Sequence, residues 1–262
     1  MSDGGLDLLG RTAVVTGSTH GIGRAIALEL ATAGANVLVH GRDATAGQTV
    51  CDEIRTIGQE TTFEAADFVD PQQQDDFVDR AFVWCDDIDI WINNAGHDAL
   101  TGEAAATTFD EKLDKLWQVD VLAAVRISRN VGRRWQNRQP DTIRSLVNIG
   151  WDQAETGMGG DSGEMFSTIK GAVMAFTRSL AISLAPKIRV NCLAPGWIKT
   201  AWGQQASQAW QDRAAGESLL QRWGEPTDVA RAAHFLVSPA AEFITGQTLP
   251  INGGQARWSG AD

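Results

Sequence analysis

The sequence predicts an α/β fold: a doubly wound parallel sheet of about seven strands with helices on both faces, formed as one domain over residues 1–262. Three observations carry this reading. Short apolar runs alternate with amphipathic helical stretches along the chain, and such alternation calls for parallel strands joined by right-handed crossovers. A glycine-rich turn, Thr16-Gly17-Ser18-Thr19-His20-Gly21-Ile22-Gly23, sits between the first apolar run and the first helical stretch. No linker, repeat or shift in composition divides the 262 residues, and 43% hydrophobic content suffices for one large core.

Strands are expected near 12–16, 35–40, 61–66, 88–93, 143–148, 188–193 and 248–251. The first, Thr12-Ala13-Val14-Val15, feeds the glycine turn. Gly17 makes the tight exit from the strand, Gly21 leaves the backbone bare to a pyrophosphate, and Gly23 lets the following helix pack closely on the sheet. The first N–H groups of that helix then face an anion. A strand, this glycine spacing and a helix in succession make a Rossmann-type dinucleotide site. The second strand ends in His40-Gly41-Arg42-Asp43. A carboxylate there would accept from a free ribose 2′-hydroxyl, but the position is Gly41, and the Arg42 guanidinium beside it suits a 2′-phosphate. NADP is therefore expected over NAD. In a doubly wound sheet, ligands sit beyond the carboxyl ends of the strands. Gly17, Arg42, Asp67, Asn94, Trp151 and Pro195 should accordingly share one rim.

Composition narrows the partners. With 22 basic and 33 acidic residues the net charge is −11, and no basic run exceeds Arg133-Arg134, which argues against nucleic acid and anionic membrane surfaces. The N-terminal residues lack a leader pattern and no stretch is apolar enough to span a bilayer, so a cytoplasmic location is expected. Cys51, Cys85 and Cys192 are scattered without metal-ligand spacing, which fits reduced thiols and no metal site.

Further landmarks follow in order: Asn93-Asn94-Ala95-Gly96, Lys170, Pro195-Gly196-Trp197-Ile198-Lys199-Thr200, and Thr245-Gly246-Gln247 leading to Asn252-Gly253-Gly254. With the glycine turn, they resemble the short-chain dehydrogenase/reductase family over almost the whole chain. The segment Arg222-Trp223-Gly224-Glu225-Pro226-Thr227-Asp228-Val229-Ala230 resembles its 3-oxoacyl-carrier-protein reductase branch. The resemblance implies an oxidoreductase acting on the carbonyl or alcohol group of a small molecule. It places the dinucleotide on Gly17, Ser18, His20, Gly21, Ile22 and Gly23, with His20 supplying a basic group near the 2′-phosphate. Asp67, followed by Phe68, takes the carboxylate position that meets the adenine amino group. Asn94, Ala95 and Gly96 line the middle of the site. Lys170 grips the nicotinamide ribose, and Pro195, Gly196, Ile198 and Thr200 complete the nicotinamide end. It also implies a homotetramer built on helices around 111–135 and 163–184 and on the C-terminal segment, and a lid over residues 201–216, a stretch that reads equally as an ordinary surface helix.

The reaction centre departs from the family. Its tyrosine, four residues before the lysine, is Phe166 here, and the chain contains no tyrosine at all. The serine after the fifth strand is Trp151. The asparagine on the preceding helix is Asp120, which a stripe with Leu113, Trp117, Ala124 and Ile127 turns inward. Lys170 alone is retained. Replacement acids are His97 at the rim, Asp152 beside the serine position and Glu164 two residues before Phe166; each also reads as a solvated loop residue. The segment before Phe166 is about two residues longer than usual. Within it, Gly160-Asp161-Ser162-Gly163 reads as a flexible insertion and not a nucleophile loop. Trp151, Trp197, Trp202 and Trp210 should crowd the substrate side and favour a flat or ring-shaped apolar ligand. Two functions compete: an NADP-dependent oxidoreductase with an atypical catalytic site, and a dinucleotide-binding protein without turnover, acting as a sensor or assembly subunit.

Overall fold

The computed structural model describes residues 6–138 and 142–254, apart from the side chain of Trp202. Seven parallel strands form one sheet: β1 (Thr12–Val15), β2 (Asn36–Gly41), β3 (Thr61–Ala65), β4 (Ile90–Asn93), β5 (Arg144–Ile149), β6 (Ile188–Pro195) and β7 (Thr248–Ile251), in the order β3-β2-β1-β4-β5-β6-β7. The chain runs outward from β1 to β3 and then returns to β4 on the other side of β1. The crevice between β1 and β4 is the switch point at which doubly wound sheets bind ligands.

Helices α1 (Gly21–Thr32), α2 (Ala44–Ile57) and α10 (Pro226–Val237) cover one face. The other carries α3 (Pro71–Trp84), α5 (Ala123–Arg138) and α7 (Asp161–Leu184). Local chemistry fixes the ends: the Asp43 carboxylate accepts from the N–H groups of Thr45 and Ala46 at the start of α2, and Gly58 ends it in left-handed backbone. Asp70 caps α3 ahead of Pro71, and Thr108 with Glu111 forms a reciprocal capping box on α4 (Phe109–Leu116).

A buried polar chain ties the middle strands to the helix that carries Lys170. Asn93 donates to Ser128 Oγ and to Asn148 Oδ1, each at 2.8 Å, while Asn148 donates to Thr177 Oγ1 of α7 at 2.9 Å. Every member has a partner, as burial requires.

Three expectations change. β6 runs two residues further than expected, because Ala194 and Pro195 pair with Pro250 and Ile251 of β7. The helix expected near 111–135 is interrupted at Trp117–Leu122 by a π-helical turn between α4 and α5. That wider turn breaks the expected stripe: Trp117 is 41% exposed, whereas Asp120 stays buried. The segment expected as a flexible insertion is ordered: after the short helix α6 (Gln153–Thr156), Asp161–Gly163 begin α7, and a Cβ at Gly163 would lie 2.0 Å from the Met158 carbonyl oxygen. The expected lid consists of two helices, α8 (Ala201–Gln205) and α9 (Gln208–Glu217). No helix among the described residues is long and apolar enough to cross a membrane.

Candidate active site

The glycine turn bends through left-handed backbone at Gly17 and Gly21, with φ of +62° and +53°. It is braced from behind: Asn94 Nδ2 donates to the Thr16 and Gly17 carbonyls at 3.1 and 2.9 Å, and the Asn94 and Ala95 N–H groups both reach Thr16 Oγ1 at 3.0 Å. Asn94 therefore acts on the loop itself. Ser18 turns inward, its hydroxyl donating to the Val15 carbonyl, and Ile22 packs on the core. Gly21 is open in front: only Thr200 Cγ2, 3.7 Å away, would meet a Cβ there. His20 provides no side-chain cap for α1, and no acidic residue occupies its first turn. The first N–H groups of α1 and the bare Gly21 backbone thus form a cradle fitted to a phosphate group.

At the end of β2, a Cβ at Gly41 would lie 2.6 Å from Thr19 Cγ2. Thr19 Oγ1 is 2.9 Å from His20 Nδ1, and Arg42 is exposed beside them. After β3, Asp67 Oδ1 accepts from the Val69 N–H, while the Phe68 ring is buried against the core and leaves only its backbone for a ligand. At the other end of the rim, Pro195 is buried. The segment that follows it pairs with Gly224, through Gly224 N–H to the Trp197 carbonyl (2.9 Å) and Lys199 N–H to the Gly224 carbonyl (2.8 Å); Thr200 comes to lie beside Gly21, whereas Ile198 is buried in the core.

Lys170 lies half-buried with its ammonium 2.8 Å from Asp120 Oδ2 and 3.4 Å from the Ile149 carbonyl oxygen. Asp120 Oδ1 accepts from the His97 N–H at 2.8 Å, and a Cβ at Gly96 would lie 2.8 Å from Oδ2. The π-helical turn therefore delivers a carboxylate beneath the Asn-Asn-Ala-Gly turn, where it serves as counter-ion to the lysine. Two of the three ammonium N–H directions are accounted for. Phe166 and Trp151 stand edge to face with ring centroids 6.2 Å apart, so the tyrosine and serine positions hold an aromatic pair without an ionisable group.

The three replacement acids do not converge. Glu164 is exposed, and His97 contributes its backbone N–H to Asp120. Asp152, buried, turns toward the end of β7, accepting from Asn252 Nδ2 at 3.1 Å and from the Gln153 N–H at 2.8 Å. Burial pushes its carboxyl up to about 6. Cys192, beneath this region, is pushed up to about 12 by burial and stays a thiol.

Beside α9, Trp197 Nε1 donates to Glu217 Oε2 at 2.7 Å, and the Trp197 ring lies 5.4 Å from Trp210 and 6.1 Å from Trp223. The Arg213 guanidinium stacks 4.8 Å over Trp210. Trp202 falls outside the described side chains. Glu217 and Trp223 were not anticipated as site residues; the only sequence signal was the Arg222-Trp223-Gly224 segment, whose fold-back onto Trp197 no local pattern reveals.

The family model described as enoyl-(acyl carrier protein) reductase matches residues 17–256. The chain belongs to the short-chain dehydrogenase/reductase family. This short-chain dehydrogenase/reductase is 31% identical to the 3-oxoacyl-(acyl-carrier-protein) reductase FabG of Aquifex aeolicus, over 95% of this chain and 98% of that protein. It is 30% identical to the 7alpha-hydroxysteroid dehydrogenase of Escherichia coli, over 95% of each. The solved structure of a 7 alpha-hydroxysteroid dehydrogenase complexed with NADH and 7-oxo glycochenodeoxycholic acid superposes with a TM-score of 0.85 at 28% identity, covering 95% of this chain and 96% of that one. A short chain dehydrogenase from Burkholderia cenocepacia in complex with NADP gives 0.83 at 30% identity, covering 95% and 98%. Members of the family thus bind nicotinamide dinucleotides, and this chain shares their oxidoreductase fold.

Proposed function

We propose that this chain is an NADP-dependent oxidoreductase acting on a carbonyl or alcohol group of a flat or ring-shaped apolar small molecule, with an atypical site for proton handling. The observation that carries the reading is the Lys170 ammonium, anchored 2.8 Å from the buried Asp120 carboxylate beneath the Asn-Asn-Ala-Gly turn. The N-terminus of α1 and Gly21 suit a pyrophosphate, Arg42 a 2′-phosphate, Asp67 the adenine, Lys170 the second ribose, and the Pro195–Thr200 segment the nicotinamide. A bound dinucleotide supplies the hydride. The chain's own contribution is to orient that ring, hold positive charge at Lys170 beside a developing alkoxide, and wall off water with Trp151 and Phe166. NADP is favoured because Gly41 cannot carry a side chain without moving Thr19, which leaves Arg42 and His20 as the groups facing the ribose. Fluorescence titration should show tighter binding of NADPH than of NADH, and Arg42→Ala should remove most of the difference. Equal affinities in the unmodified protein refute the preference.

The Trp151–Phe166 pair supports a second reading, a dinucleotide-binding protein without turnover, because neither ring donates a proton as a general acid. Steady-state reduction of a panel of ketones and 3-oxoacyl thioesters separates the two. Turnover at an ordinary rate of roughly 1–10³ per second rejects the second reading; its absence across the panel, with dinucleotide binding intact, supports it.

A further inference from the structure

His40 has no part in the chemistry above, yet its ring touches two segments of the rim at once and packs on α3. Its backbone extends the β1–β2 pairing past Val15: the Ser18 N–H donates to the His40 carbonyl at 2.8 Å, and the His40 N–H donates to Ser18 Oγ at 3.0 Å. The side chain then reaches both ways. Nδ1 lies 3.0 Å from the Gly17 backbone nitrogen, and Nε2 lies 3.2 Å from the Ala66 carbonyl oxygen. The ring stacks on Phe68 with centroids 4.2 Å apart and 14° between planes, and meets Phe77 at 4.6 Å.

The partners dictate the proton. Gly17 N–H can only donate, so Nδ1 must carry the lone pair; the Ala66 carbonyl can only accept, so Nε2 must carry the hydrogen. A second proton on Nδ1 would point at the Gly17 N–H, so the imidazolium has no place here. Burial acts in the same direction and lowers the imidazole to about 3.

We propose that His40, as a neutral Nε2–H tautomer, is a positioning residue of the nucleotide cradle: its Nδ1 lone pair holds the Gly17 N–H and so aims the phosphate-facing turn. The pyrophosphate binds at this turn and the adenine at the Ala66–Phe68 segment, so loss of the Gly17 contact acts on the pyrophosphate end alone. Gly17 can take its left-handed bend without help, but the direction of its N–H, and hence the aim of the turn toward Gly21, is held by Nδ1.

The inference rests on the dinucleotide reading above, and the test keeps the two apart. Asparagine places its amide oxygen where Nδ1 stands, and glutamine places its amide nitrogen where Nε2 stands. His40→Asn should therefore keep the Gly17 contact and lose the Ala66 contact, and His40→Gln should do the reverse. The probes are NADPH and adenosine 2′-phosphate, which lacks the pyrophosphate. His40→Gln and His40→Phe should weaken NADPH binding by about tenfold or more, as expected for a buried N–H left without an acceptor. His40→Asn should hold it within about threefold, and adenosine 2′-phosphate should change by less than about threefold in all of them. Equal losses for the Asn and Gln variants, or parallel losses for both ligands, overturn the proposal. The unmodified protein gives a check that needs no variant: the ¹⁵N shifts of His40 should report one neutral Nε2–H form throughout about pH 5–8, and a titration or an Nδ1–H form in that range overturns the proposal. If the unmodified protein binds neither NADPH nor NADH, the reading under Proposed function fails; if it binds both but ignores the Asn/Gln distinction, only the role of His40 fails.

Discussion

Two buried titratable side chains pull the pH dependence of stability in opposite directions. His40 has an ordinary value of 6.5 and about 3 in the folded chain, so the unfolded chain takes up the proton first. Its contribution is intact above about pH 6.5 and erodes as pH falls toward 3, with a slope of up to about 1.4 kcal/mol per pH unit. Asp152 behaves oppositely: its carboxyl moves from 3.8 to about 6 on folding, so the native state binds the proton first. The cost of ionising it is absent below about pH 4, grows as pH rises to about 6, and levels off near about 3 kcal/mol. Denaturant titrations across this range should show Asp152→Asn gaining on the unmodified protein between pH 4 and 6 and holding a constant lead above. His40→Asn should flatten the acid-side loss below 6.5. Curves parallel to the unmodified protein in both variants contradict the assignments. Both residues stand in quotable sequence segments, but neither role was readable there, because each depends on neighbours brought from other strands: Ala66 for His40 and Asn252 for Asp152. Gly17, Gly21 and Lys170 were legible because the relevant spacing lies along the chain.

The π-helical turn at Trp117–Leu122 is the element that makes the lysine site what it is. With regular helical periodicity, Trp117 and Asp120 fall on one inward stripe; the inserted turn separates them and leaves Asp120 alone beneath Gly96. Periodicity reading assumes a constant turn, so the exposure of Trp117 and the pairing of Asp120 with Lys170 were both hidden, even though each residue had been singled out. The pair is largely desolvated, with side-chain exposures of 15% for Lys170 and 3% for Asp120. Removing one partner from such a pair strands the other charge. Lys170→Met should therefore cost about 3–5 kcal/mol, and the double variant Lys170→Met with Asp120→Leu should recover much of that loss, as read by chemical denaturation in a double-mutant cycle. A double variant no more stable than Lys170→Met contradicts the pairing. Phe166→Tyr alone should raise ketone reduction little above that of the unmodified protein, because the serine and asparagine positions remain Trp151 and Asp120 and groups that act as a unit are strongly non-additive. A large rise over the unmodified protein's rate on the ketone panel by that single variant argues the reverse.

For the molecule as a whole, the seven parallel strands and two-sided helix layers were legible, since alternating apolar runs and helical stretches mark them directly, whereas the order of the strands was not read. The assembly was read only from resemblance. We expect a homotetramer: Ile182 on α7 and Phe235 on α10 are exposed apolar side chains, and Phe243 is fully exposed ahead of β7. Light scattering at micromolar concentration should report a mass well above that of one chain, and Phe243→Asp with Ile182→Asp should reduce it. A monomer in the unmodified protein counts against this expectation. The cluster of Trp197, Trp210 and Trp223 has a consequence of another kind. The chain holds ten tryptophans and no tyrosine, so its near-ultraviolet absorption and emission come from indole with almost no phenolic background. Rings 5.4 and 6.1 Å apart and steeply inclined to one another should couple their excited states, and near-ultraviolet circular dichroism should show a paired band. Trp210 rides on α9 while Trp197 and Trp223 belong to the loops beneath it. Movement of that helix should remove the Trp210 contribution and leave the Trp197–Trp223 pair, which gives an unlabelled optical readout of the position of α9.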